Sequence, residues 1–178
     1  MRKWILVILA VMMMAPVCAA ADQKQDKQSI IDELSVFSDT NPNAFAQVVY
    51  LLGDSYTRDN KIDKAIALYE KAANVITGNE DILNRLGNLY NQKQDYAKAV
   101  DIYQKLAGLK PDNVWYVQIL SASYKNMGQK DKAVLVWENL TKNSKNAEVF
   151  IQAANFYNGE NDTEKAIAAI KKAIELAP

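Results

Sequence analysis

The chain has 178 residues, of which 49% are hydrophobic and 24% are charged, and its 21 basic and 21 acidic side chains give a net charge of zero. This balance argues against nucleic acid or an anionic membrane surface as a partner. Histidine, the commonest general base and metal ligand, is absent, and the sequence has neither a glycine-rich phosphate loop nor a nucleophile elbow. We therefore expect no catalytic residue, no metal site and no cofactor.

The start of the chain has the layout of a secretory signal peptide. Two basic residues precede an uncharged apolar run over 4–15, and small residues then surround a cleavage site after Ala20 or Ala21. We therefore expect residues 1–21 to direct export to the periplasm, the cell envelope or the medium. The alternative is an uncleaved membrane anchor, because residues 4–21 are uncharged and just long enough to span a bilayer.

The next residues predict a leader and a capping helix. Residues 22–28 are polar and rich in lysine and glutamine, which favours a flexible leader. Over 29–45, apolar side chains recur at helical spacing from Ile30 to Phe37, and this pattern predicts a single helix that caps the residues behind it. Cys18, the only cysteine, precedes both segments, so we expect no disulfide in the folded domain.

A motif recurs through the rest of the chain at steps of 34, 34 and 33 residues. Each copy has a small residue, a tyrosine three residues later and an alanine nine residues after the tyrosine. A fixed period of this length is typical of stacked helical repeats. We therefore expect four units, with the one-residue contraction of the third falling near 143–146. The units span residues 46–79, 80–113, 114–146 and 147–178. The small residues are Gly53, Gly87, Ser121 and Ala154, and the tyrosines are Tyr56, Tyr90, Tyr124 and Tyr157.

The second unit, residues 80–113, indicates how each copy folds. Residues 83–90 carry an apolar stripe at helical spacing, residues 92–95 are polar, and residues 96–106 carry a second stripe. Pro111 ends this second stripe, because proline cannot continue a helix. We therefore expect two antiparallel helices of roughly 13 residues each, with the small residues where the helices approach most closely.

This pattern resembles the tetratricopeptide repeat family. The second unit matches the family pattern at Leu83, Leu86, Gly87, Tyr90, Ala99, Tyr103 and Pro111. The other units repeat the pattern in register, although the first and third lack the proline. The resemblance implies an all-α fold, a right-handed superhelical solenoid of antiparallel helix pairs. It also implies a concave groove, lined by the first helix of each unit, that holds an extended peptide or a partner helix.

The positions that face the groove in this family carry amides and aromatic rings in this chain. Neutral amides can both donate hydrogen bonds to a peptide backbone and accept them from it, although asparagine is also simply common at some of these positions in the family. Tyr50 and Trp115 would be exposed aromatic anchors; alternatively, Trp115 packs on Pro111 and the neighbouring turn. The residues expected to bind a partner are Tyr50, Asp54, Arg58, Asn84, Asn88, Asn91, Trp115, Gln118, Asn155 and Asn158.

These observations predict a non-catalytic interaction module that binds a protein or peptide partner in its groove. The alternative is a self-assembling scaffold, a homo-oligomer that uses the last helix. On that helix, Ile167, Ile170 and Ile174 either pack against residues 147–157 or stay open as a docking surface. An accessory domain of an envelope enzyme complex is less favoured, because the sequence carries no catalytic motif.

Overall fold

The computed structural model describes residues 41–111 and 113–177, without the side chain of residue 143. All regular secondary structure in these residues is α-helical, and each helix packs against the next one along the chain. The helices form four antiparallel pairs that stack into a superhelical solenoid, which confirms the predicted fold class. The helices are α1 (Pro42–Arg58), α2 (Ile62–Val75), α3 (Glu80–Gln92), α4 (Tyr96–Leu109), α5 (Val114–Asn126), α6 (Lys130–Asn143), α7 (Ala147–Gly159) and α8 (Thr163–Leu176).

The first helix begins earlier than the sequence pattern predicts. α1 starts at Pro42, so residues 42–45 belong to the first helix of the first unit and not to a separate capping helix. The physical reason is local, because proline has the right φ angle for the first helical position and the Asn41 side chain accepts a hydrogen bond from the Ala44 N–H at 3.1 Å. The predicted signal peptide, the leader and the rest of the capping helix, residues 1–40, lie outside the described residues.

An asparagine caps the N-terminus of the first helix in every unit. Its side-chain oxygen accepts a hydrogen bond from a backbone N–H in the first turn, at distances of 2.9 to 3.1 Å. Each cap satisfies a backbone donor that has no partner inside the helix. The caps thus fix where the first helices begin, and with them the register of the stack. The capping residues are Asn41, Asn79, Asn113 and Asn146.

The turn inside each unit is also the same in all four copies. The carbonyl oxygen of the repeated tyrosine accepts a hydrogen bond from the N–H five residues later, at 2.8 to 2.9 Å. The residue just before that donor has a positive φ between 57° and 73°. This conformation is common where a helix ends, and it favours glycine or asparagine. The four positions are Asn60, Gln94, Gly128 and Asn161.

The connections between units explain the uneven repeat. The first two connections, residues 76–79 and 110–113, have four residues, whereas residues 144–146 have three. The one-residue contraction of the third unit therefore lies in this last connection, and its helix pair has the same length as those of the second and fourth units.

The core lies between the helices of each pair and between consecutive pairs. Gly87 of α3 faces the ring of Tyr103 on α4, and Gly53 of α1 faces Tyr69 on α2 in the same way. Tyr69 and Tyr103 are 1% and 0% exposed. These two glycines therefore lie where the two helices of a unit approach each other, and each makes room for a buried tyrosine. This arrangement turns the other side of α1, α3, α5 and α7 outward.

Candidate partner-binding surface

The outward side of α1, α3, α5 and α7, called here the first-helix face, carries all ten predicted partner-binding residues. Polar pairs connect neighbouring first helices along it. Asp54 of α1 forms an ion pair with Arg85 of α3, and Ser123 of α5 donates a hydrogen bond to Asn91 of α3 at 3.0 Å. Further along, α5 and α7 are joined by an ion pair between Lys125 and Glu160. The face is therefore one continuous surface across the four units.

Tyr50 and Asp54 lie at the α1 end of the first-helix face and are both engaged by α3 or its cap. The Tyr50 hydroxyl donates a hydrogen bond to the Asn79 side chain at 3.0 Å. The Arg85 guanidinium lies over the Tyr50 ring, 4.9 Å from its centroid, while it also pairs with Asp54. Burial, and secondarily the charge of Asp81, raises the pKa of Tyr50. Tyr50 is half-buried and held in place, so it offers part of a ring rather than a freely moving anchor.

Asn84 and Asn88 bind a buried tyrosine. The Tyr103 hydroxyl donates a hydrogen bond to the Asn88 side-chain oxygen at 2.7 Å and lies 3.4 Å from that of Asn84. The Asn88 amide nitrogen in turn donates to Asn84 at 3.3 Å. Burial raises the pKa of Tyr103, so its hydroxyl remains a donor at neutral pH. At this position asparagine supports the packing, and both oxygens are already used.

Asn91 and Gln118 also have partners inside the chain. Asn91 accepts the hydrogen bond from Ser123 already described. The Gln118 amide donates to Gln152 at 3.0 Å, and Gln152 donates to Glu148 at 2.6 Å. These amides connect the helices of consecutive units and keep only part of their hydrogen-bonding capacity for a partner.

Three predicted residues are uncommitted. Arg58, Asn155 and Asn158 are exposed, and their side chains have neither a hydrogen bond nor an ion pair with the residues that the structure describes. Ile151, on the same face of α7, is 44% exposed. The capacity to bind a partner is therefore greatest around α7 and lower around α3, where the amides are used internally.

Trp115 is the large aromatic side chain that stands out from this face. It is 42% exposed, and its ring packs edge-on against Tyr103 and Tyr116, with centroids 6.1 and 5.3 Å away. The Tyr116 hydroxyl donates to Glu80 at 2.6 Å. Burial, together with this hydrogen bond, raises the pKa of Tyr116 to about 12. Trp115 thus has a fixed orientation on two protonated tyrosines, and much of its surface remains open.

Arg85 lies on this face but is not among the residues that the sequence predicted. Its equivalents in the other units are Leu51, Ile119 and Gln152, so no repeated charge marks the position. Its role depends on the packing of α3 beside α1, which brings its guanidinium next to Asp54 and over the Tyr50 ring. The spacing of 31 residues between Asp54 and Arg85 is the only signal in the sequence, and it requires the register of two units to be known.

The described part of the chain shows neither a metal-binding cluster nor a membrane-spanning helix. Residues 41–111 and 113–177 contain no group of three or more acidic or cysteine side chains that could hold a metal ion. In that same range no helix is both long enough and apolar enough to cross a bilayer.

Comparison with protein-family models gives two matches, both described as tetratricopeptide repeats. One covers residues 50–114 and the other residues 147–178, so together they span more than half of the chain. No curated protein sequence gives a significant match.

Several solved structures are similar to this chain. One is a MamA structure from MSR-1, 26% identical, with a TM-score of 0.50 and coverage of 84% of this chain and 88% of that one. A second MamA crystal structure is 21% identical with a TM-score of 0.54 and coverage of 82% and 85%. MamA from Desulfovibrio magneticus RS-1 is 22% identical with a TM-score of 0.52 and coverage of 75% and 76%. The last two likenesses concern the fold alone.

Proposed function

The chain belongs to the tetratricopeptide repeat family, and on this basis we propose that it is a non-catalytic scaffold that binds a protein or peptide partner along the first-helix face. The observation that carries the proposal is Trp115, 42% exposed and oriented by Tyr103 and Tyr116. Aromatic side chains held in this way are typical anchors of binding surfaces, because little side-chain freedom is lost on binding.

The partner contacts are expected to extend from Trp115 toward α7. Asn155 and Asn158 supply unused amides on that helix, and Ile151 supplies a half-exposed apolar side chain. An extended peptide could therefore place one apolar side chain against Trp115 and Ile151 and give its backbone to the amides. Asn84 and Asn88 contribute less, because their oxygens bind the Tyr103 hydroxyl.

The test of this function replaces Trp115 with alanine. Peptides are first selected on the unchanged protein from a random library, and their affinity is then compared with that for Trp115→Ala and for Leu109→Ala. Leu109 is the control, since it is 47% exposed but lies at the end of α4, away from the first-helix face. We expect Trp115→Ala to weaken binding by roughly thirtyfold, the loss of about 2 kcal/mol that marks an anchor residue, and Leu109→Ala to change it little.

The melting temperature separates binding from packing in this experiment. Trp115→Ala removes two aromatic contacts, so we expect a stability loss of about 1 to 2 kcal/mol and a protein that stays folded at the temperature of the binding assay. Unchanged affinity in the folded variant would show that Trp115 serves only to cover Tyr103 and Tyr116.

We further propose that the protein is exported to the periplasm or cell envelope, with an uncleaved N-terminal anchor as the alternative. The support is the basic start, apolar run and small-residue cleavage site within residues 1–21. Cell fractionation of a C-terminally tagged chain, followed by N-terminal sequencing, tests this. We expect a mature protein beginning at Ala21 or Asp22, and replacement of Leu9 by arginine in the apolar run should keep it in the cytoplasm. An intact N-terminus in a soluble cytoplasmic fraction would refute export.

A further inference from the structure

Three isoleucines on α8 are exposed. Ile167, Ile170 and Ile174 are 48%, 49% and 70% exposed, so they do not all pack against α7. The corresponding side chains of the other units are more buried. The equivalents of Ile170 in the other units are Tyr69, Tyr103 and Trp137, which are 1%, 0% and 2% exposed.

The equivalents of the other two isoleucines are less exposed than the isoleucines themselves. Ile66 and Val100, which correspond to Ile167, are 8% and 6% exposed, and Val134 at the same position is half-buried. Ile174 corresponds to the half-buried residues Ala73, Ala107 and Thr141. In each of these units the second helix packs against the first helix of the following unit. The exposed isoleucines of α8 therefore form one half of a unit-to-unit interface that the chain makes three times internally.

The other half of this interface is uncovered on α1. Leu51 is 68% exposed, whereas two of its three equivalents in the later units contact the preceding first helix. Arg85 contacts Asp54 on α1, and Gln152 accepts a hydrogen bond from Gln118 on α5. Leu51 is thus an apolar side chain at a position that elsewhere makes a contact with the preceding unit.

Val48, one turn earlier on α1, points to the same conclusion. It is only half-buried, whereas its equivalents Ile82, Tyr116 and Val149 are 0%, 4% and 0% exposed. The exposed surfaces of α8 and α1 are both apolar. They correspond to the two sides of the interface between consecutive units, α8 to the second-helix side and α1 to the first-helix side.

We propose that the α8 face of one copy of this chain binds the α1 end of a second copy, so that the solenoid continues from chain to chain. Such a contact is heterologous, because different surfaces meet, and it leaves one free end on each side of the pair. The assembly can therefore grow beyond two copies. Leu51 occupies on α1 the position that Arg85 occupies on α3, so the contact borders the first-helix face, but it does not use Trp115, and the two activities can be tested with different variants.

A second copy is the occupant that the observations favour, because the contact repeats an interface that already forms within the chain. The predicted apolar helix around Ile30 to Phe37 is a competing cover for the α1 end, and a symmetric pairing of two α8 faces is another. The three arrangements give different results when the two ends are blocked separately.

The experiment uses three single variants of the whole chain and follows their assembly by sedimentation velocity over a range of concentrations. Ile174→Lys places a charge on the α8 face, and Leu51→Lys places one on the α1 end. Leu135→Lys is the matched control, because Leu135 is 51% exposed at a position where the equivalent residues of the other units are also exposed. Circular dichroism confirms that each variant is folded.

We expect the unchanged protein and Leu135→Lys to form dimers and longer assemblies as concentration rises. Each blocked variant alone should associate at least about tenfold more weakly, because an unpaired ammonium would be buried in an apolar contact. Equal amounts of the two blocked variants should form dimers and nothing longer. The α1 end of Ile174→Lys is free to bind the α8 face of Leu51→Lys, and the two outer surfaces of that dimer are blocked.

Three results would overturn the proposal. One is a monomeric unchanged protein at all concentrations, as expected if a segment of the same chain covers the α1 end. Another is dimerisation of Leu51→Lys alone, which indicates pairing of two α8 faces. The third is a mixture of blocked variants that stays monomeric. Trp115→Ala is expected to assemble like the unchanged protein, so a failure of peptide binding does not affect this result.

Discussion

At the scale of single residues, the first two units each contain a glycine in close contact with a buried tyrosine ring. A Cβ atom added to Gly87 would lie 2.8 Å from the Tyr103 ring and 3.1 Å from a methyl group of Ile102. Tyr103 cannot easily move away, because it is fully buried and its hydroxyl is hydrogen-bonded to Asn88. The glycine is therefore required by packing and not by its backbone conformation.

This contact predicts the effect of replacing Gly87 with alanine. The added methyl group forces α3 and α4 apart or distorts Tyr103, so we expect a loss of about 1 to 3 kcal/mol in the free energy of unfolding, the usual cost of overpacking. Chemical denaturation monitored by circular dichroism measures it.

Gly108→Ala is the control for this substitution. Gly108 also lies in a helix, α4, but a Cβ atom there would meet nothing within 4 Å. Alanine should therefore raise stability by about 0.5 to 1 kcal/mol through its greater helix preference. If both variants were stabilised to the same extent, close packing at Gly87 would be ruled out as the reason for the glycine.

At the scale of helices, the sequence predicted the features that depend on apolar periodicity and on polar or proline residues that end a helix. The apolar stripe over residues 83–90 lies in α3, residues 93–95 of the polar segment form the turn, and Pro111 follows the end of α4. These features depend on neighbours within one or two helical turns, so local sequence contains them. The start of α1 differs from the predicted boundary after residue 45 because Asn41 caps this helix and Pro42 begins it, a local signal that the spacing of apolar side chains does not contain.

The sequence could not predict which groove side chains remain available to a partner. Asn88 and Asn155 occupy the same position in the repeat, yet Asn88 binds the Tyr103 hydroxyl whereas Asn155 has no partner within the described residues. The difference arises because the residue equivalent to Tyr103 in the last unit is Ile170, which has no hydroxyl group. The hydrogen bond between Asn88 and Tyr103 joins two helices of one unit. It can be identified only when the packing of those helices is known.

At the scale of the whole molecule, the stack is not uniform. One hydrophobic cluster runs from α1 to α6, and a second, smaller cluster joins the α5–α6 and α7–α8 pairs. α6 makes less extensive backbone contact with α7 than α2 makes with α3 or α4 with α5. A cleft of about 320 Å³ lies at this junction, lined by residues that include Thr141, Phe150 and Ala169. The third and fourth units are therefore less firmly joined than the others.

The weak junction predicts unequal stability along the solenoid. In repeat proteins each unit is stabilised mainly by its neighbours, so a poor interface allows one end to open without the rest. We expect backbone amides of α7 and α8 to exchange hydrogen for deuterium faster than those of α3 and α4 under native conditions, as measured by mass spectrometry of peptide fragments.

Filling the cleft should reduce this difference. Ala169 corresponds to Leu68, Ile102 and Val136, so Ala169→Ile restores a branched side chain that the other units carry. It adds apolar contacts in the cleft, worth about 0.8 kcal/mol for each buried methylene equivalent, and should slow exchange in α7 and α8 while leaving α1 and α2 unchanged. Leu135→Ile, on the exposed side of α6, is the control and should alter neither region. Equal exchange rates along the unchanged chain would mean that the four units open together, and the smaller α6–α7 contact would then have no energetic consequence.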